Sequence, residues 1–448
     1  MRRRGLLIIL VIVAVTGLAA CSRSKGPSTT TVGDPSSTAM RDTSTTDALQ
    51  SITPALASVE TPLAIGSGIL LPGSVVVTTA HVVWPHRTVD VRFADGSSGS
   101  NLPVIAVDWA ADLALIDVST LGSLPSPAQI ESGDVAPGDP VFLIRFPLEG
   151  DDSPTVVAGT LIGTRSWAEG GVEYLESDAL IGGGHSGGAL VSRSGAVIGI
   201  TSIEIDDTRA LAIAGRDVAE RVESLREGLD ADGVGDRWLE DLTPSDREPE
   251  PAVHLLDEAS WVFDAEAGIE VALETDANGA LSGSIVGPDG FLEATMVEGA
   301  MGFEPTVSGP HFASVVPGHA AGSVVGLAGN VDLERLVDPD HGRSIGVGEK
   351  VMGNIDYPGD LDWYTVELTA GQSIIVTATS PNADMALFVG PVASLQGPEG
   401  RGSSDGAGGV LDSDARLAYT ADATGTHIVA VFDETQLGPG AYAVTISE

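Results

Sequence analysis

The sequence predicts a mainly β protein built of antiparallel barrels or sandwiches, and three observations carry that expectation. Short β-branched runs recur along most of the chain, turn-forming pairs punctuate them, and helical spacing is all but missing between them. The 448 residues are 43% hydrophobic and only 19% charged, with 56 glycines, so the chain can bury several cores while turning often. Its charge narrows the function classes. Lys+Arg 22 against Asp+Glu 63 gives −41, which repels phosphate backbones and argues against nucleic-acid partners. One cysteine excludes an intrachain disulfide and a cysteine-rich zinc site.

The first twenty residues read as a targeting segment. Arg2, Arg3 and Arg4 precede the uninterrupted apolar stretch Leu6 to Val15, too short for a comfortable span and the right size for a signal-peptide core. Leu18-Ala19-Ala20-Cys21 follows and resembles the lipobox of bacterial lipoproteins, which implies lipidation of Cys21 as the mature N-terminus. Removing the three arginines takes the net charge from −41 to −44. Residues 21–54 are Ser/Thr-rich and too polar to bury a core, so they read as a disordered tether. A flexible chain of that length holds the next domain roughly 30 Å from its anchor.

Residues 55–230 carry the strand signals. Ile69-Leu70-Leu71, Val75 to Thr78, Val89 to Phe93, Leu113 to Ile116, Val141 to Ile144 and Ala196 to Ile200 are separated by Pro72-Gly73, Asp95-Gly96, Pro137-Gly138 and Ser194-Gly195. Val218, Val222, Leu225 and Leu229 then fall at helical spacing, so an amphipathic helix over Arg216 to Leu229 closes the region. Three polar spots interrupt the apolar pattern: His81 after a strand, Asp112 before one, and Ser186 in Gly183-Gly184-His185-Ser186-Gly187-Gly188. A serine hydroxyl becomes a nucleophile when an imidazole takes its proton, and the imidazole needs a carboxylate to fix its tautomer. Flanking glycines free backbone N–H groups to face an oxyanion. Each spot also has a plain structural reading, as a glycine turn, a loop histidine and a strand-start aspartate.

The order of these motifs resembles the trypsin-like serine proteases of the bacterial HtrA/Deg type. Gly66-Ser67-Gly68, Thr78-Thr79-Ala80-His81-Val82-Val83, Asp112-Leu113-Ala114-Leu115, Ser177 to Ile181 leading into Gly184-His185-Ser186-Gly187-Gly188, and Leu211 to Ala214 carry the resemblance, which runs from about Ile65 to Leu229. It implies a chymotrypsin-like double β-barrel. It implies Ser186 as nucleophile, His81 as general base and then acid, and Asp112 as the orienting carboxylate. The N–H groups of Gly184 and Ser186 would form the oxyanion hole, Ser202 would pair substrate backbone, and Leu180 and Ile181 would floor the pocket for the side chain before the cut. With no charge offered there, cleavage after small or medium aliphatic residues is expected, since a buried apolar floor leaves Lys or Arg unpaired. His185 departs from the Asn or Asp usual at its position, and Gly182-Gly183-Gly184 is richer in glycine than the family norm. No PDZ-like segment follows the protease region, so that family's trimer assembly and regulation are not carried over.

Residues 231–252 are acidic and read as a linker, with Trp238-Leu239 as the only apolar spot. Beyond it, Trp261 to Gly268 aligns with Trp363 to Gly371, Val286-Gly287-Pro288 with Val389-Gly390-Pro391, and Gly309 to Val315 with Gly425 to Val431. Near-constant offsets predict a duplicated module: a degenerate copy over 253–345 and a second over 346–448, both small β-sandwiches of jelly-roll type. The second resembles the bacterial pre-peptidase C-terminal domain through Gly359 to Tyr364, Asp384 to Leu387 and Gly425-Thr426-His427. Asp356, Asp360, Asp362 and Asp384 read as a solvated acidic turn or as calcium ligands; their spacing lacks an EF-hand pattern, and neither metal nor cofactor is assigned.

The expectation is therefore a lipid-anchored, extracytoplasmic serine endopeptidase acting on protein or peptide substrates. The rival is a surface protein with an inactive protease fold that binds or senses ligands through its C-terminal sandwiches.

Overall fold

The computed structural model describes residues 50, 52–131, 135–146, 154–179, 185–206, 208–229, 238–243, 259–275, 282–297, 300–316, 326–391, 401–402, 414–433 and 439–448. Cys21, Leu180, Ile181 and Gly184 lie outside the described residues, as do the leader and the tether up to residue 49.

A first barrel contains β1 (Leu56–Glu60), β2 (Ile65–Leu71), β3 (Val75–Thr78), β4 (Thr88–Phe93), β5 (Ser98–Asp108) and β6 (Leu113–Asp117), with the short helix α1 (Ala80–Val83) leaving β3. The second contains β7 (Pro140–Arg145), β8 (Thr155–Trp167), β9 (Val172–Ser177), β10 (Ala189–Ser192), β11 (Val197–Asp206) and β12 (Arg209–Ala214), followed by helix α2 (Gly215–Arg226). Both close, in the orders β1-β2-β3-β6-β5-β4 and β10-β11-β12-β9-β8-β7. Closure pairs every strand on both sides and removes the exposed edges that an open sheet carries. The strands are buried on both faces: Val76, Val77, Leu115 and Ile116 in the first barrel, and Leu143, Ile144, Ile200 and Ile213 in the second, are all essentially inaccessible. The closing helix ends earlier than its spacing predicted. Gly228 at φ 71 follows its last turn, and Leu229 is 55% exposed rather than packed.

The predicted linker is not a free tether where it is described. Trp238 and Leu242 are buried in the barrels' core, and Arg87 lies over the Trp238 ring at 5.3 Å while pairing with Glu240 and Asp241.

Eight strands follow: β13 (Ala259–Ala265), β14 (Val271–Thr275), β15 (Ser282–Val286), β16 (Leu292–Val297), β17 (Ala300–Phe303), β18 (Gly309–Val316), β19 (Leu327–Gly329) and β20 (Glu334–Arg335). They hydrogen-bond as one sheet, β19-β14-β17-β16-β15-β18-β13-β20, whose two halves supply one core of Trp261, Phe263, Leu273, Ile285 and Val315. The last module has β21 (Arg343–Ser344), β22 (Lys350–Ile355), β23 (Leu361–Leu368), β24 (Ser373–Thr379), β25 (Met385–Pro391), β26 (Arg401–Gly402), β27 (Ala415–Thr420), β28 (Gly425–Asp433) and β29 (Gly440–Ser447). Sheets β21-β23-β28-β25-β26 and β22-β29-β24-β27 sandwich Tyr364, Val376, Leu387, Val429 and Val444. The order β15-β18-β13 in one module recurs as β25-β28-β23 in the next. Register agrees too: Phe263 faces His311 as Val366 faces His427, and each histidine bonds through Nδ1 to the glycine carbonyl two residues earlier, at 2.9 and 3.0 Å.

Candidate active site

The strand β3 delivers α1, and Asp112 holds it from the start of the neighbouring strand β6. Asp112 stands between β5 and β6 at φ 54, a conformation that aspartate tolerates better than most side chains. Its carbonyl accepts the Ala80 N–H at 3.1 Å, and its Oδ1 accepts the His81 N–H at 3.0 Å, so one residue satisfies two of the open donors at the start of α1. Its Oδ2 bonds His81 Nδ1 at 2.8 Å. The aspartate side chain is 1% exposed and the imidazole 37%, which leaves the far ring edge open to a ligand. Burial pushes the imidazole pKa down, but the charge and hydrogen bond of Asp112 outweigh it and hold His81 above its ordinary value.

Ser202 adds a contact the sequence did not predict. The ladder of β11 with β12 shifts register between Thr201 and Ile203, and Ser202 falls at that bulge. Its hydroxyl donates to Asp112 Oδ2 at 2.6 Å, so this carboxylate takes bonds from both barrels.

Ser186 lies on a turn locked from three sides. Gly188 N–H donates to His185 O at 2.9 Å; Thr201 donates its hydroxyl to the same carbonyl at 2.5 Å, accepts the Gly187 N–H at 2.7 Å, and donates its own N–H to Gly188 O at 2.9 Å. The Ser67 N–H of the first barrel donates to Ser186 O at 2.8 Å. Gly187, at φ 80, admits no side chain, since a Cβ there would stand 2.0 Å from Ser67 O and 2.5 Å from Thr78 Oγ1. The turn therefore rests in the seam between the barrels. Ser186 Oγ donates to Ser202 O at 3.5 Å rather than to the imidazole. Thus His81, Asp112, Ser202 and Ser186 form one chain of contacts, with the serine–imidazole link open.

Residues 66–200 match the family model described as trypsin-like peptidase domain, across both barrels and through His81, Asp112 and Ser186. The paired barrels are a trypsin-like peptidase domain. Residues 360–433 match the bacterial pre-peptidase C-terminal domain, in the last module. Among relatives, serine protease HTRA1 of Xenopus tropicalis is 31% identical over 199 residues, 40% of this chain and 42% of that protein. The mitochondrial serine protease HTRA2 of Bos taurus is 31% identical over 200 residues, 42% of this chain and 43% of that protein. The chain thus spans less than half the length of these relatives. A serine endoprotease structure from Yersinia pestis is 26% identical, covering 42% of this chain and 69% of that one at a TM-score of 0.37.

Around the peptidase domain's Asp112, three further groups escaped sequence reading. Asp108 is fully buried; its Oδ1 accepts the Ala111 N–H at 2.9 Å and its Oδ2 the Arg221 Nη1–H at 2.6 Å. Tyr174 is also buried, and burial, then the nearby Asp112 carboxylate, push its hydroxyl pKa well above the phenol range. A signal for Asp108 existed: aspartate three residues before a turn N–H is a common local cap. Nothing local announces Arg221, 113 positions from its partner.

The acidic residues of the last module are not a solvated turn. Asp356, Asp360 and Asp362 are at most 2% exposed; Asp360 Oδ2 accepts the Asp356 N–H at 2.7 Å and Asp362 Oδ2 the Tyr442 hydroxyl at 2.6 Å. Asp338, His341 and Asp362 each bring one ligand atom within 4.8 Å of the others, the group among the described residues that could hold a metal ion. Asp338 bonds His341 Nδ1 at 2.6 Å. Burial would raise the Asp338 pKa, but His341 prevails and holds it down at about 2.

Proposed function

We propose that the chain is a serine endopeptidase that cleaves protein or peptide substrates through an acyl-enzyme on Ser186. The observation carrying this reading is the two-point grip of Asp112 on His81, at the backbone N–H and at Nδ1, which leaves Nε2 as the basic edge of the ring. Ser186 Oγ leaves the Ser202 carbonyl, turns to Nε2, gives up its proton and attacks the scissile carbonyl. The imidazolium, steadied by Asp112, returns that proton to the leaving amine as the C–N bond breaks. Water, deprotonated by His81, then opens the ester and restores the hydroxyl. The Ser186 and Gly184 N–H groups face the oxyanion in this reading, and Leu180 and Ile181 set a preference for small or medium aliphatic residues. Ser202, on the bulge, offers its carbonyl to substrate backbone once Ser186 releases it. The Arg2 to Cys21 segment supports an extracytoplasmic enzyme held to the membrane by a lipid on Cys21.

A fluorophosphonate probe tests the chemistry. Labelling of the wild-type chain that disappears in Ser186→Ala and in His81→Ala is the expected result. A folded wild-type sample that takes no label would favour the ligand-binding surface protein with an inactive protease fold. Cys21→Ser should release the chain from the membrane fraction; retention of that variant would count against the anchor.

A further inference from the structure

The C-terminal modules touch the peptidase domain at the end of α1, the helix that carries His81, and at the β8–β9 turn, which Arg221 links to the turn that carries Asp112. The first contact is aromatic. Trp84, the residue that ends α1, lies with its ring 5.8 Å from Phe312 of β18, and Phe312 lies 5.6 Å from Tyr357 of the last module, the second pair 11° from parallel. All three side chains are buried and belong to the core of the barrels. Offset-stacked rings pack as rigid plates with few rotamers, so this stack fixes the end of α1 far better than aliphatic contact would.

The second contact is polar. Arg221 of α2 donates Nη1–H to Asp108 Oδ2 at 2.6 Å and Nη2–H to Gly170 O at 2.5 Å, and is 11% exposed. Asp108 opens the turn that ends in Asp112, and its other oxygen ties the Ala111 N–H within that turn. Gly170 belongs to the β8–β9 turn, which the last module grips: Trp167 Nε1–H donates to Thr379 Oγ1 at 3.0 Å and Lys350 Nζ to Glu169 O at 3.4 Å. A planar guanidinium with two fixed acceptors transmits the position of one to the other, which a flexible ammonium does not.

We propose that the C-terminal modules are a built-in brace for the His81–Asp112 pair, with Phe312 and Arg221 as positioning residues. Phe312 seats the helix that carries His81; Arg221 seats the turn that carries Asp112. The proposal rests on the reading of that pair as the general-base assembly. His81 is faced by Asp112, and the buried Tyr174 hydroxyl lies within reach of the Asp112 charge and of Arg221, Asp108 and Asp217. A displaced Asp112 therefore registers directly in the imidazole's titration.

The test uses the full chain. The His81 imidazole is titrated by NMR in the Ser186→Ala background, and fluorophosphonate labelling is followed against pH with Ser186 present. Arg221→Met should lower the His81 midpoint by about one pH unit and slow labelling at pH 7 at least about tenfold. Arg221→Lys should recover part of both. Phe312→Leu, which keeps the site apolar, should shift both in the same direction by a smaller step, and Phe312→Tyr, which keeps the ring but buries a hydroxyl, should shift them less than Phe312→Leu. Folded Arg221→Met and Phe312→Leu chains with wild-type midpoints and labelling would overturn the brace. Where Arg221→Met does not fold, an unchanged midpoint and unchanged labelling in Arg221→Lys and Phe312→Leu overturn it equally. A wild type that never labels, yet whose His81 midpoint falls in Arg221→Met, keeps the brace and removes the hydrolytic reading. Labelling that is normal in wild type and in both variants removes the brace alone.

Discussion

Asp112 concentrates three demands in one side chain: it caps α1, orients an imidazole and accepts a serine hydroxyl from the second barrel. Asp112→Asn retains the shape but presents an N–H where Nδ1–H must donate, so the tautomer reverses. A fall of about 10⁴-fold in turnover is expected, read as labelling rate or peptide hydrolysis. Ser202→Ala removes one charge-assisted bond and leaves the tautomer intact, so its loss should be far smaller. The pH dependence has a definite sign. The proposed mechanism needs neutral His81, and Asp112 holds the imidazole above its ordinary 6.5, so kcat/KM should fall as pH drops through that raised value. The pair contributes to folding stability in the opposite sense: its contribution is complete below 6.5 and is lost as pH rises through the folded value. A pH–rate profile whose acid limb lay well below 6.5 would contradict the raised imidazole.

At the scale of elements, the turn that carries Ser186 is held by its neighbours rather than by its own sequence. Gly187→Ala would drive a methyl into Ser67 O and Thr78 Oγ1, so the turn must leave the seam. Labelling should be abolished, with a melting temperature several degrees lower, whereas Gly228→Ala, in open space past α2 but at φ 71, should cost only the backbone strain of about 1 kcal/mol and leave labelling intact. Thr201→Val removes the hydroxyl that anchors His185 O and should destabilise the fold by about 1–2 kcal/mol, measured by denaturant titration. These elements also mark how far the sequence could be read. The strands Val75–Thr78 and Leu113–Asp117 were legible because Val75 to Val77 and Leu113 to Ile116 are apolar on both sides and buried on both. Helix α2 was legible in its periodicity but not in its end, because Leu229 keeps the period after Gly228 has already turned the chain. His81, Asp112 and Ser186 could be picked out through local motifs, each with its own glycine or strand context. Arg221, Phe312 and the Ser202 hydroxyl could not, because each acts on a partner far along the chain, and pairing across barrels or modules leaves no local pattern.

Across the whole molecule, the surplus of acids sets how the parts cohere. The described arginines are largely committed to carboxylates: Arg165 and Arg209 to Glu176, Arg221 to Asp108, Arg226 to Glu223, Arg343 to Asp340. With the few described cations paired internally, the excess of acids in a chain of net charge −41 leaves like charges to repel one another. Such like-charge repulsion acts over about 30 Å at 10 mM salt and about 8 Å at 150 mM, whereas the pair of Arg221 and Asp108, withdrawn from solvent, is screened little. The melting temperature of the chain should therefore rise by several degrees between about 10 and 150 mM sodium chloride and change less from there to about 500 mM. If exposed ion pairs such as Arg87 with Glu240 were the main electrostatic support instead, screening would weaken them and the melting temperature would fall with added salt. A scanning fluorimetry series at constant pH separates the two by the sign of the slope alone.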